Sequence, residues 1–166
     1  MNLPSRIGRR VLLAALLATV TGAVTAQSMT GRVVEVIDGD TVTVLLQGRN
    51  QLRARLAGID APEQKQAFGQ RAKQHLAGLV FEKSVMVVGH KYDRYHRLVA
   101  KLIIEGQDAN LDMVATGYAW HYKRYELEQS LEDRLAYGKA EAKARAERKG
   151  LWTDAAPVPP WDFRRH

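Results

Sequence analysis

Seven charged side chains in this chain lie at three places where an apolar run ends or turns. They are Asp38, Asp40, Arg55, Asp60, Glu63, Arg94 and Arg97. Carboxylate oxygens are the ligands that Ca²⁺ prefers, and a guanidinium binds a phosphate through two parallel hydrogen bonds. If the fold gathers these side chains, they could bind a metal ion and promote the attack of water on a phosphodiester, whose own negative charge otherwise repels a nucleophile.

Each of these residues also has an ordinary structural explanation. Asp-Gly is common turn chemistry, so Asp38 does not by itself indicate a metal. Glu63 directly follows Pro62 and would be a favourable acid in the first turn of a helix. Arg55 and Arg97, taken singly, are typical of solvated strand positions. Only the convergence of these residues in space would favour a site.

The elements that must position them begin with five runs that predict strands. Two runs form a hairpin over residues 30–46, and the others lie at residues 50–59, 84–93 and 97–104. The hairpin turns at Asp38-Gly39-Asp40, which is a strong turn signal. The last two strands flank the loop "YDRYHR". All three charged places are therefore predicted at the ends of strands.

Three helices are predicted from apolar spacing and capping signals. The first spans residues 63–81, and the second is a short helix capped at Asn110 and closed by Gly117. The third is a charged helix over residues 125–150, which Gly150 ends. Its apolar stripe consists of Leu127, Leu131 and Leu135.

Five strands with a helix after the third predict an α+β fold that is mainly a β barrel. The specific expectation is a five-stranded Greek-key barrel of the oligonucleotide-binding (OB) type with about three packed helices. Residues 27–152 would form this single domain. Residues 153–166 are proline-rich and predict an extended tail, which Trp161 and Phe163 could pin to the domain.

Residues 1–26 have the pattern of a secretory signal peptide. A basic start precedes an apolar stretch from Val11 to Val20, and small residues then lead to a predicted cleavage after Ala26. An apolar stretch of about ten residues is shorter than the roughly 20 that span a bilayer. We therefore expect a periplasmic or secreted protein with no stable membrane association after cleavage.

The remaining composition suits an exported domain that contacts anions. Removing residues 1–26 takes three of the 25 Lys and Arg and none of the 18 Asp and Glu, which leaves a net charge of +4. A basic surface favours nucleic acid among possible partners, although a solvated surface explains it equally well. Cysteine is absent, so disulfides and thiolate metal sites are excluded. We expect the protein to be a monomer.

Several strings occur in an order and spacing that resemble the staphylococcal nuclease (thermonuclease) family. They are "IDGDT", "RLAGIDAPE", "DRYHR" followed by "LVA", "GYAW", "GLW" and "PPW". The resemblance covers residues 31–152. It implies an OB-type barrel and a calcium-dependent phosphodiesterase that acts on single-stranded DNA and RNA, leaving 3′-phosphate and 5′-hydroxyl ends.

The resemblance implies a Ca²⁺ site made of oxygen ligands. Asp40 and Asp60 match the metal-binding carboxylates, and Ala61 matches the residue whose backbone carbonyl binds the ion. The family's type member has threonine at the position of Ala61, but a carbonyl ligand does not depend on the side chain. Asp38 matches an acid that binds through water or tunes the site. Hard oxygen ligands without a nearby histidine pair also favour Ca²⁺ over Zn²⁺.

The resemblance likewise implies the catalytic groups. Arg55 and Arg97 match the two arginines that bind the phosphate, and Glu63 matches the carboxylate that orients or deprotonates the attacking water. His96 departs from the family, which usually has glycine there. If that position needs a positive φ, histidine adopts it at some energetic cost.

Substrate contacts are the remaining implication. Arg94 and Tyr95 match residues that hold the terminal phosphate of a bound nucleotide, and Tyr122 and Tyr125 are candidates for stacking on bases. Trp120 is predicted to lie in the core instead. The histidines at positions 75, 90 and 121 are scattered singly and receive no role.

Two other functions stay open at this level. A catalytically silent OB barrel that only binds nucleic acid would be expected to lack at least one of the acids or arginines, and this chain has them all. An exported scaffold that uses calcium only for stability would leave Arg55 and Arg97 unexplained.

Overall fold

The computed structural model describes residues 27–165, and the predicted signal peptide, residues 1–26, lies outside the described residues. The strands are β1 (Gln27–Val36), β2 (Thr41–Leu46), β3 (Gln51–Leu56), β4 (Ile59–Asp60), β5 (Ser84–Tyr92), β6 (Leu98–Ile104), β7 (Gln107–Asp108) and β8 (Trp120–His121). The helices are α1 (Gly69–Val80), α2 (Ala109–Ala115), α3 (Leu131–Ala146) and α4 (Pro160–Phe163), with 3-10 turns at Lys123–Glu128 and Gly150–Thr153. Within residues 27–165, no helix is long and apolar enough to cross a membrane.

The five long strands close into a barrel. β1 pairs antiparallel with both β2 and β5, β2 pairs with β3, and β5 pairs with β6. A parallel pairing between β3 and β6 closes the ring. The predicted fold class, an α+β arrangement around a five-stranded OB barrel, is therefore confirmed.

Alternating side chains fill the barrel. In β3 the apolar residues at 52, 54 and 56 are buried, whereas the polar residues at 51 and 53 are exposed. Burying a valine or leucine side chain contributes about 1.5 to 3 kcal/mol, so this alternation fixes which face of each strand points inward. Residues from α1, α2 and α3 join the same core, which makes the barrel and the helices one packed unit.

Helix α1 begins later than the apolar spacing predicted. The prediction of a helix over residues 63–81 is wrong for residues 63–68, which form turns instead. Gln66 N donates to Glu63 O, and Gly69 N donates to Gln66 O. Phe68 has φ +67°, a left-handed conformation that stops the helix from extending toward Glu63. The first turn of the predicted helix is therefore a loop that presents Glu63.

The short helix α2 is capped by Asp108 and not by Asn110. The Asp108 side chain accepts a hydrogen bond from Leu111 N at 3.1 Å. Asn110 is fully buried inside the helix, and its amide bonds the backbone of Leu102 and Ala100. Asn110 Nδ2 also donates to Ala57 O, which connects α2 to the turn between β3 and β4. Gly117, at φ +76°, follows the helix as predicted.

The charged helix α3 packs with a different face from the one predicted. The first residues of the predicted helix lie in the 3-10 turn, and α3 itself starts at Leu131. The predicted apolar stripe is exposed, with relative exposures of 83%, 62% and 65% for Leu127, Leu131 and Leu135. Tyr137, Glu141 and Ala144 are buried instead. Tyr137 is oriented inward because its hydroxyl donates to Asp108 at 2.9 Å.

The C-terminal tail is folded and not extended. The four-residue helix α4 lies within it, and a 3-10 turn at Gly150–Thr153 leads into it. Trp161 stacks on Tyr122 with ring centroids 5.3 Å apart and meets the edge of Trp120 at 5.5 Å. Trp120 is buried, as the sequence predicted. The prediction that Trp161 pins the tail is confirmed, and the tail lies close to the end of the barrel that carries Asp60.

Candidate active site

Strand pairing brings the three charged places to one end of the barrel. Arg55 on β3 lies opposite Thr41 on β2, directly after Asp40. On its other side Arg55 lies beside Val99 on β6, two residues after Arg97. β4 pairs with β8, which fixes Asp60 opposite Trp120. The sequence-distant acids and arginines therefore share one surface because the barrel closes between β3 and β6.

Close packing of two loops holds the acids near each other. A Cβ built on Gly39 would lie 2.7 Å from the Ala61 Cβ and 2.8 Å from the Ala72 Cβ. Those distances are too short for any side chain, so glycine is required for the 38–40 loop to pack on Ala61 and on α1. Ala61 N in turn donates to Asp40 Oδ2 at 2.7 Å. The loop that carries Asp40 is thereby fixed to the segment that carries Asp60.

Arg55 lies at the centre of the site and joins the two acids. Its Nη2 lies 3.1 Å from Asp40 Oδ2 and 2.8 Å from Asp60 Oδ1. Its Nη1 donates to the carbonyl oxygens of Leu56 and Ile59, each at 3.0 Å. The planar guanidinium thus holds both carboxylates and the turn between β3 and β4 in one arrangement.

The environment of Asp40 is unfavourable to its ionised form. Burial raises the pKa of Asp40 from its ordinary 3.8 to about 7, the neighbouring carboxylates of Asp38 and Asp60 add to the rise, and Arg55 opposes it. Asp38 Oδ1 also accepts a hydrogen bond from Asp40 N at 3.0 Å. Burial is thus the main cause of the raised pKa of Asp40, and a cation bound to this carboxylate would favour its ionised form.

Arg97 is held at the edge of the site by Asp93. Its Nε and Nη2 both lie 2.8 Å from Asp93 Oδ2, and its Nη1 donates to Thr41 Oγ1 at 3.3 Å. Partial burial alone would raise the pKa of Asp93, but hydrogen bonds from Arg97 and Tyr95 hold it below its usual value. His96 has φ +60°, so the position where the family usually has glycine is left-handed, and histidine adopts it.

Glu63 lies at the rim of the site and contacts a residue from the far end of the chain. Glu63 Oε1 lies 2.7 Å from Nη1 of Arg164, in the C-terminal segment. The same guanidinium contacts Asp60, with Nη2 2.8 Å from Oδ2 and Nη1 3.2 Å from Oδ1. Glu63 is therefore joined to the two central acids through arginines.

The predicted substrate-binding residues form two separate groups. Arg94 and Arg97 lie over the ring of the exposed Tyr95, at 4.8 Å and 5.3 Å from its centroid. Tyr122 and Tyr125 meet edge to face at 5.3 Å. Tyr122 also lines a cavity of about 310 Å³ together with the basic residues Lys123, Arg124, Arg145 and Arg165. Both groups combine aromatic faces with positive charge, as nucleic-acid surfaces do.

The donor set at this end of the barrel fits a hard divalent cation. Asp40 and Asp60 supply buried carboxylates, and the backbone of Ala61 lies between them in the same loop contact. Among residues 27–165, no three His, Cys, Asp or Glu side chains converge as a ready-made metal cage. An ion here would therefore take most of its oxygens from water and substrate, which suits the flexible shells of Ca²⁺.

Sequence reasoning missed three residues of this site. Asp93 belongs to the quoted loop string, and its spacing of four residues from Arg97 is a detectable pairing signal. Thr41 immediately follows Asp40 and donates to Asp40 Oδ1 at 3.2 Å, in the hairpin that was predicted. Arg164 has no local signal, because its partners Asp60 and Glu63 lie about a hundred positions earlier.

A closed OB barrel with acids, arginines and aromatic basic surfaces at one end belongs to the class of nucleic-acid-binding barrels. Comparison with known proteins identifies the family. The family described as "Staphylococcal nuclease homologue" matches residues 53–154. The chain belongs to the staphylococcal nuclease family, and its substrate class is nucleic acid.

Relatives with similar sequences have nuclease names. An "Uncharacterized endonuclease" of Haemophilus influenzae is 42% identical over 161 residues, which cover 96% of this chain and 87% of the relative. An "Uncharacterized endonuclease" of Escherichia coli O157:H7 is 40% identical over 135 residues, which cover 81% of this chain and 84% of the relative. A "Micrococcal nuclease" of Shigella flexneri is 41% identical over 144 residues, which cover 81% of this chain and 80% of the relative. Family and relatives together identify this chain as a nuclease.

Proposed function

We propose that this nuclease is a calcium-dependent phosphodiesterase that cleaves single-stranded DNA and RNA to products with 3′-phosphate and 5′-hydroxyl ends. The observation that carries the proposal is the position of Arg55, whose Nη2 contacts both Asp40 and Asp60 at the end of an OB barrel. Two buried acids bridged by a guanidinium form a centre that can take both a hard cation and a phosphate.

The two arginines are proposed to bind the reacting phosphate from two sides. Arg55 is fixed by backbone carbonyls and carboxylates, and Arg97 is fixed by Asp93. Because both groups are already oriented, little reorganisation is needed when negative charge develops on the phosphoryl oxygens in the transition state. The four Nη hydrogens of Arg55 already face two carbonyl and two carboxylate oxygens, so Arg55 would donate to the phosphate through Nε. An ammonium group would lack this fixed, planar set of donors.

Glu63 is proposed to orient and deprotonate the attacking water. Its carboxylate lies at the rim, on the same side of the barrel as Asp60, and is half-buried. A general base needs access to water and a nearby reacting group, and this position offers both. Bound Ca²⁺ would supply positive charge that offsets the charge of the phosphate and favours a nucleophilic water.

The experiment is turnover of single-stranded DNA and RNA in calcium, in magnesium and in chelator, with analysis of the product ends. We expect activity in calcium only, because magnesium prefers a tight octahedral shell that a site with few protein ligands fits poorly. Products should carry 3′-phosphates, which a phosphatase removes. An Arg55→Gln variant purified in parallel controls for contaminating nucleases. Equal turnover in magnesium, or 5′-phosphate products, would contradict the proposal.

Export is proposed on separate grounds. The basic start, the apolar stretch and the small residues of positions 1–26 support the proposal. Gln27 pairs with Gly89 on β5, so cleavage after Ala26 would keep all barrel residues that the structure describes. The N-terminal residue of the protein recovered from the periplasm or the medium tests this, and a chain that keeps Met1 and stays in the cytoplasm would refute it.

A further inference from the structure

The C-terminal segment, residues 158–165, packs across the rim of the active site. Gln66 Nε2 donates to Val158 O, Pro160 is buried, and Trp161 stacks on Tyr122. These contacts anchor the segment just before α4 and at the start of α4. Arg164, at the C-terminal end of α4, is thereby placed over Asp60.

Two arginines occupy most of the hydrogen-bonding capacity of Asp60, and Arg164 provides two of the three bonds. The Asp60 side chain is only 1% exposed and accepts two bonds from Arg164, one on each oxygen. Oδ1 also accepts from Arg55. A carboxylate has about four lone-pair sites, so about one remains for another ligand. The Arg164 guanidinium also binds Glu63, the proposed base.

We propose that Arg164 competes with the divalent cation for Asp60, so that its side chain makes an inhibitory contact which calcium must displace. This inference rests on the proposed calcium-dependent function. A guanidinium bonded to both oxygens of Asp60 leaves only about one lone-pair site for a metal ion, and its positive charge would lie next to that ion. Docking of Arg164 and binding of the cation at Asp60 therefore compete, and each weakens the other by the same factor.

The Arg164 contact differs from an ordinary surface ion pair. Exposed pairs contribute little because water screens them and two flexible side chains must be ordered. Here one partner is buried, the geometry is two-pronged, and Trp161 already orders the backbone three residues away. Only the Arg164 side chain, which is 43% exposed, has to move for the cation to enter. Trp161 can stay packed while this happens.

The neighbouring Arg165 provides a matched control. Its side chain is 72% exposed, and its ion pair is with Asp162 at 3.4 Å, away from the acids of the site. Arg164→Gln and Arg165→Gln remove the same charge from adjacent positions. Any difference in calcium affinity between them reports the contact of Arg164 with Asp60 and not the net charge. Arg164→Lys keeps the charge but loses the two-pronged geometry.

The experiment is calorimetric titration of calcium into the purified wild-type protein and these three variants. If Arg164 is docked in about nine molecules of ten, Arg164→Gln should bind calcium about tenfold more tightly, a gain of about 1.4 kcal/mol. Arg165→Gln should match the wild type, and Arg164→Lys should fall between them. The rise in melting temperature on adding calcium should also be largest for Arg164→Gln.

Each other result overturns the inference in a recognisable way. Equal affinities in all four proteins refute the competition and leave the calcium site intact. An equal gain in Arg164→Gln and Arg165→Gln shows a general charge effect. Unchanged affinity with lower turnover in Arg164→Gln makes Arg164 a substrate-binding residue. Absence of calcium binding in all four proteins overturns the proposed calcium dependence itself, and the competition with it.

Discussion

Arg55 and Arg97 have the same proposed role but different surroundings, so replacing each by lysine should separate stability from catalysis. Arg55 bonds two backbone carbonyls and contacts two carboxylates. A lysine has three donors on one nitrogen and cannot span these four acceptors. At least one or two buried acceptors would lose their partner, at about 1 to 3 kcal/mol each.

We therefore expect Arg55→Lys to lower the free energy of unfolding by about 2 to 4 kcal/mol, which lowers the melting temperature by about 10 °C. Arg97 contacts Asp93 and Thr41 near the surface, and lysine can keep one bond to Asp93. Arg97→Lys should therefore lower the free energy of unfolding by less than about 1 kcal/mol. Both variants should lose about 30- to 1,000-fold in turnover, since each weakens transition-state binding by about 2 to 4 kcal/mol.

Urea denaturation in chelator measures the stability change, and turnover on single-stranded DNA measures catalysis. Arg53→Lys is the matched control, because Arg53 lies on the same strand but is exposed, and both readouts should stay at the wild-type value. Equal destabilisation by Arg55→Lys and Arg97→Lys would refute the reasoning that Arg55 holds the acid pair. Wild-type turnover in both variants would refute their phosphate-binding role.

Three further predictions address the other groups of the site. Glu63→Gln should reduce turnover strongly while nucleotide affinity stays near the wild-type value, since shape is kept and the base is lost; near-normal turnover would exclude Glu63 as the base. The pKa of Asp40 is about 7 in the folded cation-free protein and about 3.8 in the unfolded chain, so the folded state binds more protons between these values. The free energy of unfolding in chelator should therefore fall as pH rises from about 4 to about 7, and calcium affinity should rise over the same range. Urea denaturation and calorimetry across that range test both trends, and Asp40→Asn should remove the stability slope. His96→Gly should change the free energy of unfolding by no more than about 1 kcal/mol in either direction, because relief of the left-handed φ offsets the added freedom of glycine; a larger loss in denaturation would show that the histidine side chain itself stabilises the loop.

The barrel could be predicted from sequence because its signals are local. Alternation in β3, the Asp-Gly turn and the β-branched runs each report on a few neighbouring residues. The placement of Arg55 beside Asp40 and Asp60 then follows from strand order, once the strings identify the family. The positive φ at His96 could be anticipated in the same way, from the glycine that the family has there.

Helix boundaries and faces were less predictable because tertiary contacts decide them. Apolar spacing alone predicted that the helix of α1 would begin at Glu63, but the left-handed Phe68 interrupts it. The leucine stripe of α3 satisfied helical spacing and is nevertheless exposed, since Tyr137 and Glu141 bind partners on the other side. A polar group with a buried partner outweighs an apolar side chain when only one face of a helix can be covered.

Arg164 marks the limit of what local patterns can provide. The sequence around it contains two adjacent arginines, and nothing in "FRRH" distinguishes Arg164 from Arg165. The distinction arises because Trp161 packs against Trp120, whose strand β8 pairs with the strand that ends in Asp60. Because Trp161 is fixed there, Arg164, three positions later at the end of α4, contacts Asp60, whereas Arg165 contacts Asp162. An aromatic anchor on the core thus determines which of two identical side chains reaches the site.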